Sequence, residues 1–155
     1  MSKILVVFYS FSNTTKRLAE EIAEQTKGDI RELIPEKSYA FNYNTATKEV
    51  RNEIERGYCP KLVSGVESVE SYDYIFLGTP NWFKSFAPPI LSFLRNVDLQ
   101  GKTIIPFCTH GGGGLGQIQV NIEEECPKST VLSGFETMSN FDKEKIKNWL
   151  KKISL

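Results

Sequence analysis

The stretch KILVVFYSFSNTTKR, residues 3–17, decides how the rest of the chain is read. Ile4 to Tyr9 is an unbroken apolar run rich in β-branched and aromatic residues, the pattern of a strand buried on both faces. It gives way to Ser10, Phe11, Ser12, Asn13, Thr14 and Thr15, in which five of six side chains carry a hydroxyl or an amide. Leu18, Ala19, Ile22 and Ala23 then recur at helical spacing. A strand, a polar loop and a helix start in succession aim unpaired backbone N–H groups and a positive dipole end at one point. Such a point suits an anion, most simply a phosphate. One Ser, Thr or Asn there would serve as an ordinary N-cap; five exceed what capping needs. The Gly-x-x-x-x-Gly-Lys spacing of a nucleoside-triphosphate loop is missing. With no Cys or Asp pair in the loop, neither a phosphatase nucleophile nor a phosphoacceptor is suggested.

The same grammar repeats outward. Gly28 is placed to cap the first helix, and Asp29 to Ile34 reads as a short strand whose polarity suits a sheet edge. A helix is expected over about Thr45 to Arg56, with Val50 and Ile54 inward. The aromatics around it, Tyr39, Phe41, Tyr43 and Tyr58, suit surface packing or the cover of a pocket. Tyr74 to Leu77 is a second buried strand, followed by the loop Thr79-Pro80-Asn81-Trp82-Phe83-Lys84. Pro88 and Pro89 open the next helix. Lys102 to Cys108 is a third strand, and Thr109-His110-Gly111-Gly112-Gly113-Gly114 is its loop. A helix carrying Leu115, Ile118, Ile122 and Cys126, a last short strand over Ser129 to Ser133, and an amphipathic helix with Ile146, Trp149, Leu150 and Ile153 complete the chain.

Alternating strands and helices without repeats or linkers predict one α/β domain over residues 1–155, a parallel sheet covered on both faces. The loops 10–15, 79–84 and 109–114 all leave the carboxyl ends of predicted strands. They therefore converge on one rim, where ligands of such sheets sit. Trp82 and Phe83 offer a stacking surface for a flat ring or, alternatively, tuck against the following helix. Four successive glycines after a core strand forfeit conformational entropy, which is reasonable where bare backbone must approach a ligand. A phosphate pocket, an aromatic platform and a backbone edge describe a mononucleotide with a large planar base, and flavin mononucleotide (FMN) fits best.

Composition narrows the classes. At 40% hydrophobic and 25% charged residues, with 19 basic against 19 acidic, the chain has no electrostatic signature of nucleic acid or of an anionic membrane. No apolar run reaches spanning length and no secretory pattern opens the sequence. Three cysteines without CxxC spacing predict reduced thiols and a cytoplasmic setting, with Cys108 and Cys126 as small core residues. A single histidine leaves no multi-histidine metal site.

In element order and in all three loops, the sequence resembles the flavodoxin family, in particular compact members with a TPxW-type second loop and a THGGxGxG-type third loop. The resemblance implies a three-layer, doubly wound, five-stranded parallel sheet of order 2-1-3-4-5, with no long insertion in the last strand. By the same likeness Ser10, Phe11, Ser12, Asn13, Thr14 and Thr15 hold the phosphate. Thr79, Pro80, Asn81, Trp82 and Phe83 flank the isoalloxazine, and Thr109, His110, Gly111 and Gly112 border its pyrimidine side. His110 is open to a ring contact, a proton-donor role or a backbone-only role; it has no acid partner evident in the sequence. The implied function is redox, as an electron carrier with a protein partner or as a reductase using NAD(P)H and a small quinone-like acceptor.

Two features depart from the family's electron carriers. The chain is neutral where they are acidic, and Trp82-Phe83-Lys84-Ser85 lacks the glycine they place beside the flavin N5. A bulky residue at positive φ costs about 1–2 kcal/mol, so a half-reduced flavin should be poorly stabilised; Lys84, if turned inward, would favour an anionic reduced ring. Two other classes are weighed. Gly111-x-Gly113-x-x-Gly116, with Glu136 downstream, matches the spacing of a dinucleotide-binding dehydrogenase, but the fingerprint normally occupies the first strand–helix turn. A non-catalytic module of the same fold is the other; a signalling receiver would need acids where Ser10 and Thr79 stand. A hydrolase would need a Gly-x-Ser-x-Gly elbow, which is absent.

Overall fold

The computed structural model describes residues 3–39 and 43–154, the side chains of residues 43–46 excepted. Its strands are β1 (Ile4–Phe8), β2 (Asp29–Glu32), β3 (Ile34–Pro35), β4 (Leu62–Ser64), β5 (Tyr74–Pro80), β6 (Thr103–Thr109), β7 (Thr130–Val131) and β8 (Phe135–Thr137). Its helices are α1 (Thr14–Thr26), α2 (Tyr43–Arg56), α3 (Pro88–Asn96), α4 (Ile118–Glu125) and α5 (Lys143–Lys152). The parallel sheet runs β2-β1-β5-β6-β7, and β8 also pairs with β6. β7 and β8 are thus two pieces of one fifth strand position, and the order is the expected 2-1-3-4-5. Among the described residues no helix is long and apolar enough to cross a membrane.

Alternation along the strands builds two cores. Leu5, Val7, Ile75, Leu77, Ile104 and Cys108 face one side, where they meet Val50 of α2, Ile90 and Phe93 of α3, and Ile118 and Ile122 of α4. Val6, Phe8, Phe76, Ile105 and Phe107 face the other, against Leu18 and Ile22 of α1 and Ile146 and Trp149 of α5. Each large apolar side chain fully buried this way contributes about 1.5–3 kcal/mol. α1 therefore leaves β1 toward one layer and α3 leaves β5 toward the other. The parting of these connections opens a crevice above neighbouring strands β1 and β5.

Several local expectations change. The left-handed position ending α1 is Lys27 (φ 60°) rather than Gly28. Gly28 is required for space instead, since a Cβ there would lie 2.8 Å from Ile4 Cγ2. Helix α2 begins at Tyr43, two residues ahead of the expected start, and Leu115 stands in the turn before α4. The last strand is split at Leu132–Gly134, and Pro106 of β6 explains why. Lys102 and Ile104 accept from Thr130 N–H and Leu132 N–H, so alternate residues of β6 point their backbone polar groups toward this edge. Pro106 is next in that series and has no N–H to offer. Gly134 lets the chain cross there, where a Cβ would meet Pro106 O at 2.7 Å.

Candidate functional site

Backbone bonds past the strand ends hold the three loops level. Tyr9 N–H donates to Gly78 O (3.0 Å), Asn81 N–H to Thr109 O (2.8 Å) and His110 N–H to Thr137 O (3.0 Å). The loops after β1, β5 and β6 consequently start side by side on one rim. Side chains then join them: Thr15 Oγ1 and Thr109 Oγ1 share a buried hydrogen bond of 2.7 Å, linking residues 94 apart in sequence.

In the first loop, Ser10 Oγ accepts from Lys16 N–H (3.2 Å) and so acts as a cap. Asn13, the formal N-cap, is left-handed (φ 67°) and its side chain makes no capping bond. The side chains of Ser12, Asn13 and Thr14 find no partner among the described residues, and neither do the backbone N–H groups of Phe11 through Thr15. The first turn of α1 carries no acid. Several unpaired donors, a positive helix end and no competing carboxylate are the donor set an anion needs. Capping alone would have used the Asn13 side chain.

The second loop is organised from within. Thr79 is buried; its hydroxyl accepts from Ala87 N–H (2.9 Å) and donates to Pro80 O (2.8 Å), which pins the loop to the start of α3. Asn81 stitches loops together: Nδ2 donates to Gly114 O (2.7 Å) while Oδ1 accepts from Lys84 N–H (3.0 Å). Trp82 and Ser85 exchange backbone hydrogen bonds of 2.9 and 3.0 Å. Between them Phe83 (φ 55°) and Lys84 (φ 68°) are both left-handed, the geometry of a mirror-image hairpin turn usually built from Asn and Gly. The sequence reading treats positive φ here as a barrier. The structure adopts it at two successive bulky residues, clamped by Asn81 and by Gln117 N–H donating to Lys84 O (2.6 Å).

Trp82 is half-buried against the core that includes Ile90 of α3, and three aromatic rings also pack on it. The rings of Tyr9, Phe11 and Tyr39 meet the indole nearly perpendicularly at 5.6, 5.7 and 5.3 Å. Exposed aromatic surface on the rim comes from Phe11 and Phe83, each about two-fifths exposed. Arg51 of α2 stacks on the Phe83 ring at 4.9 Å. Beneath the indole, Tyr39 donates to Glu53 Oε1 (2.7 Å). Burial is the main cause that pushes the Glu53 carboxyl and the Tyr39 and Tyr9 phenols above their usual ranges. Of the other aromatics near α2, Tyr58 is exposed, while Phe41 and the Tyr43 side chain lie outside the described residues.

In the third loop Gly111 is informative. Its φ is not left-handed and a Cβ there would meet nothing within 4 Å, so neither strain nor packing requires glycine. Gly112 is at φ 137°, and there too a Cβ would meet nothing within 4 Å. Bare backbone facing open space beside the β1–β5 crevice suits close approach of a planar ring edge. Cys108 below is no nucleophile: burial first, and then Glu136, push its thiol to about 12.

Sequence reasoning missed the partner of His110. The imidazole is buried; Nδ1 accepts from Gly112 N–H (2.9 Å), and Nε2 lies against Glu136 Oε2 in ion-pair contact without hydrogen-bond alignment. Only the strand register, Cys108 opposite Glu136, delivers that carboxylate. Nothing local to residue 110 signals it.

Known structures share this fold. A protein assigned as a flavoprotein from Bacteroides eggerthii superposes with a TM-score of 0.90 at 28% identity, over 100% of this chain and 99% of that one. Another, from Bacteroides uniformis, gives 0.88 at 28% identity over 97% and 98%. A flavoprotein from Lactobacillus acidophilus, solved in complex with FMN, shares the fold with a TM-score of 0.77 at 20% identity over 96% and 99%. The flavodoxin family model matches residues 3–153. That range includes the donor-rich first turn, the clamped aromatic loop and the glycine loop, and the chain belongs to the flavodoxin family.

Proposed function

We propose that this chain holds FMN non-covalently across the β1–β5 crevice and uses it for redox chemistry, passing electrons in pairs between NAD(P)H and a small quinone-like acceptor. The observation that carries FMN binding is the unused donor set at residues 11–15. The family supports it, as does the fold shared with an FMN complex. When bound, FMN supplies the electron-accepting ring. Ser12, Asn13, Thr14 and the N–H groups of the first turn hold the phosphate, with Ser10 and Thr15 shaping the loop through their own bonds. Phe11, Trp82 and Phe83 give the ring an apolar flank and exclude water, while Gly111 and Gly112 meet its polar edge.

The preference for paired electrons rests on the second loop. Stabilising a radical on the ring calls for a peptide that can re-aim toward it. Here the Lys84 N–H is held by Asn81 and the Lys84 carbonyl by Gln117. The neutral charge balance, 19 against 19, offers no field for a basic carrier partner. Dithionite titration tests this part: absorbance should pass from oxidised to fully reduced without a long-wavelength radical band, and a large transient band would refute it.

Thr14→Glu tests the binding site. A carboxylate in the first turn favours the helix dipole by about 0.3–1 kcal/mol yet repels a phosphate. Thermal stability should hold or rise while FMN retention collapses. Unchanged FMN affinity would refute the phosphate assignment.

A further inference from the structure

The His110–Glu136 pair has a consequence for the glycine loop, given the FMN reading above. A neutral imidazole has one nitrogen that donates and one that accepts. Because Gly112 N–H donates to Nδ1 at 2.9 Å, the proton of the neutral ring must sit on Nε2. An imidazolium would present a second donor to the Gly112 N–H. Nε2 is buried and lies against the Glu136 carboxylate. Glu136 itself is about half exposed, so water still solvates its charge and the pairing costs little desolvation. The same carboxylate lies under the far end of the loop, where a Cβ on Gly114 would stand 3.6 Å from Oε2. His110 thereby provides a side-chain tether within a run of four glycines that would otherwise be the least ordered backbone of the rim.

We propose that Glu136 is a positioning residue. It holds His110 in the Nε2–H tautomer, which leaves Nδ1 free to tie down Gly112 N–H and fixes the backbone that borders the flavin's pyrimidine edge. The role is indirect: Glu136 acts through His110, and His110 acts through the shape of residues 111–114.

His110 is the only histidine in the chain, so its ring nitrogens give one unambiguous pair of resonances. Long-range proton–nitrogen correlation on the flavin-free protein at neutral pH should show the proton on Nε2, with Gly112 N–H slow to exchange. Glu136→Ala should mix the tautomers, speed Gly112 exchange and weaken FMN binding by about threefold to tenfold, the worth of one hydrogen bond. Glu136→Gln, whose amide oxygen can lie against Nε2–H as the carboxylate does, should restore the wild-type values. In His110→Asn the amide oxygen takes the place of Nδ1, so adding Glu136→Ala should have no further effect. An Nδ1–H tautomer in the wild type overturns the proposal, as does Glu136→Ala leaving Gly112 exchange and FMN affinity unchanged. The tautomer and exchange measurements need no flavin. If the wild type binds no FMN, the functional reading fails while these two still judge the tether.

Discussion

Gly116→Ala is the substitution on which the construction of this site can be judged most sharply. Gly116 is left-handed (φ 52°), and a Cβ there would stand 2.9 Å from Lys84 O and 3.1 Å from Lys84 Cα. Those are backbone atoms of the second loop and cannot swing aside as a flexible side chain would. Left-handed backbone costs an alanine about 1 kcal/mol or somewhat more. Forcing Lys84 away weakens the bond from Gln117 N–H, worth about 1 kcal/mol. Residual overlap adds about 1 kcal/mol, and the stiffer unfolded chain returns roughly 0.4–1 kcal/mol. The net loss is about 2 kcal/mol, which for a domain of this size lowers Tm by roughly 4–8 °C. Gly101→Ala is the control: it too is left-handed (φ 77°) but meets nothing within 4 Å. Only backbone strain applies there, less the same unfolded-state return, so its Tm should fall by roughly 1–3 °C. The two should part more clearly in FMN titrations followed by flavin fluorescence. Displacing Lys84 and Asn81 moves the flank of the ring and should weaken affinity about tenfold, or about 1.4 kcal/mol, whereas Gly101→Ala should bind as the wild type does. If Gly116→Ala melts with Gly101→Ala and retains wild-type affinity, loops two and three are not held together by this close approach.

Two further outcomes follow from buried ionisable groups. Burial raises the Glu53 carboxyl above its ordinary value of 4.5, so the folded state binds that proton more tightly than the unfolded chain. The stability this contributes is complete below the ordinary value and is lost as pH rises through the folded one. Glu53→Gln keeps an acceptor for Tyr39 and cannot titrate; its stability advantage over wild type in denaturant unfolding should grow with pH and level off, and a pH-independent difference would contradict the assignment. Burial also pushes the thiols of Cys108 and Cys126 to about 12 and about 11. With almost no thiolate at neutral pH, neither should react with a disulfide reagent until the protein unfolds, and prompt modification of Cys108 in the native state would show that β6 opens.

Much of the fold lies in local pattern. Ile4–Tyr9, Tyr74–Leu77 and Lys102–Cys108 are continuous apolar runs because both faces of a parallel strand are covered, and that need is written residue by residue. Pro88 and Pro89 mark a helix start through their own fixed φ. The hydroxyl-rich turn at 10–15 was likewise legible, since the excess over one cap shows in composition alone. The split of the last strand was less so: it follows from Pro106, nearly thirty residues upstream, which withholds a donor from a neighbour that only the sheet identifies.

The sequence by itself determined the layered parallel fold, the rim where its three unusual loops meet, and the anion-seeking character of the first of them. These depend on periodicity and on residue type at a strand end, both local properties. Tertiary structure alone decided how the rim is fastened. It placed Phe83 and Lys84 in left-handed turns by anchoring Lys84 to Asn81 and Gln117, packed Trp82 among Tyr9, Phe11 and Tyr39, and set Glu136 against His110. Each of those contacts joins residues whose proximity comes from strand register and helix packing, and a hydrogen bond or a ring contact leaves no mark in the chain until both partners are in place.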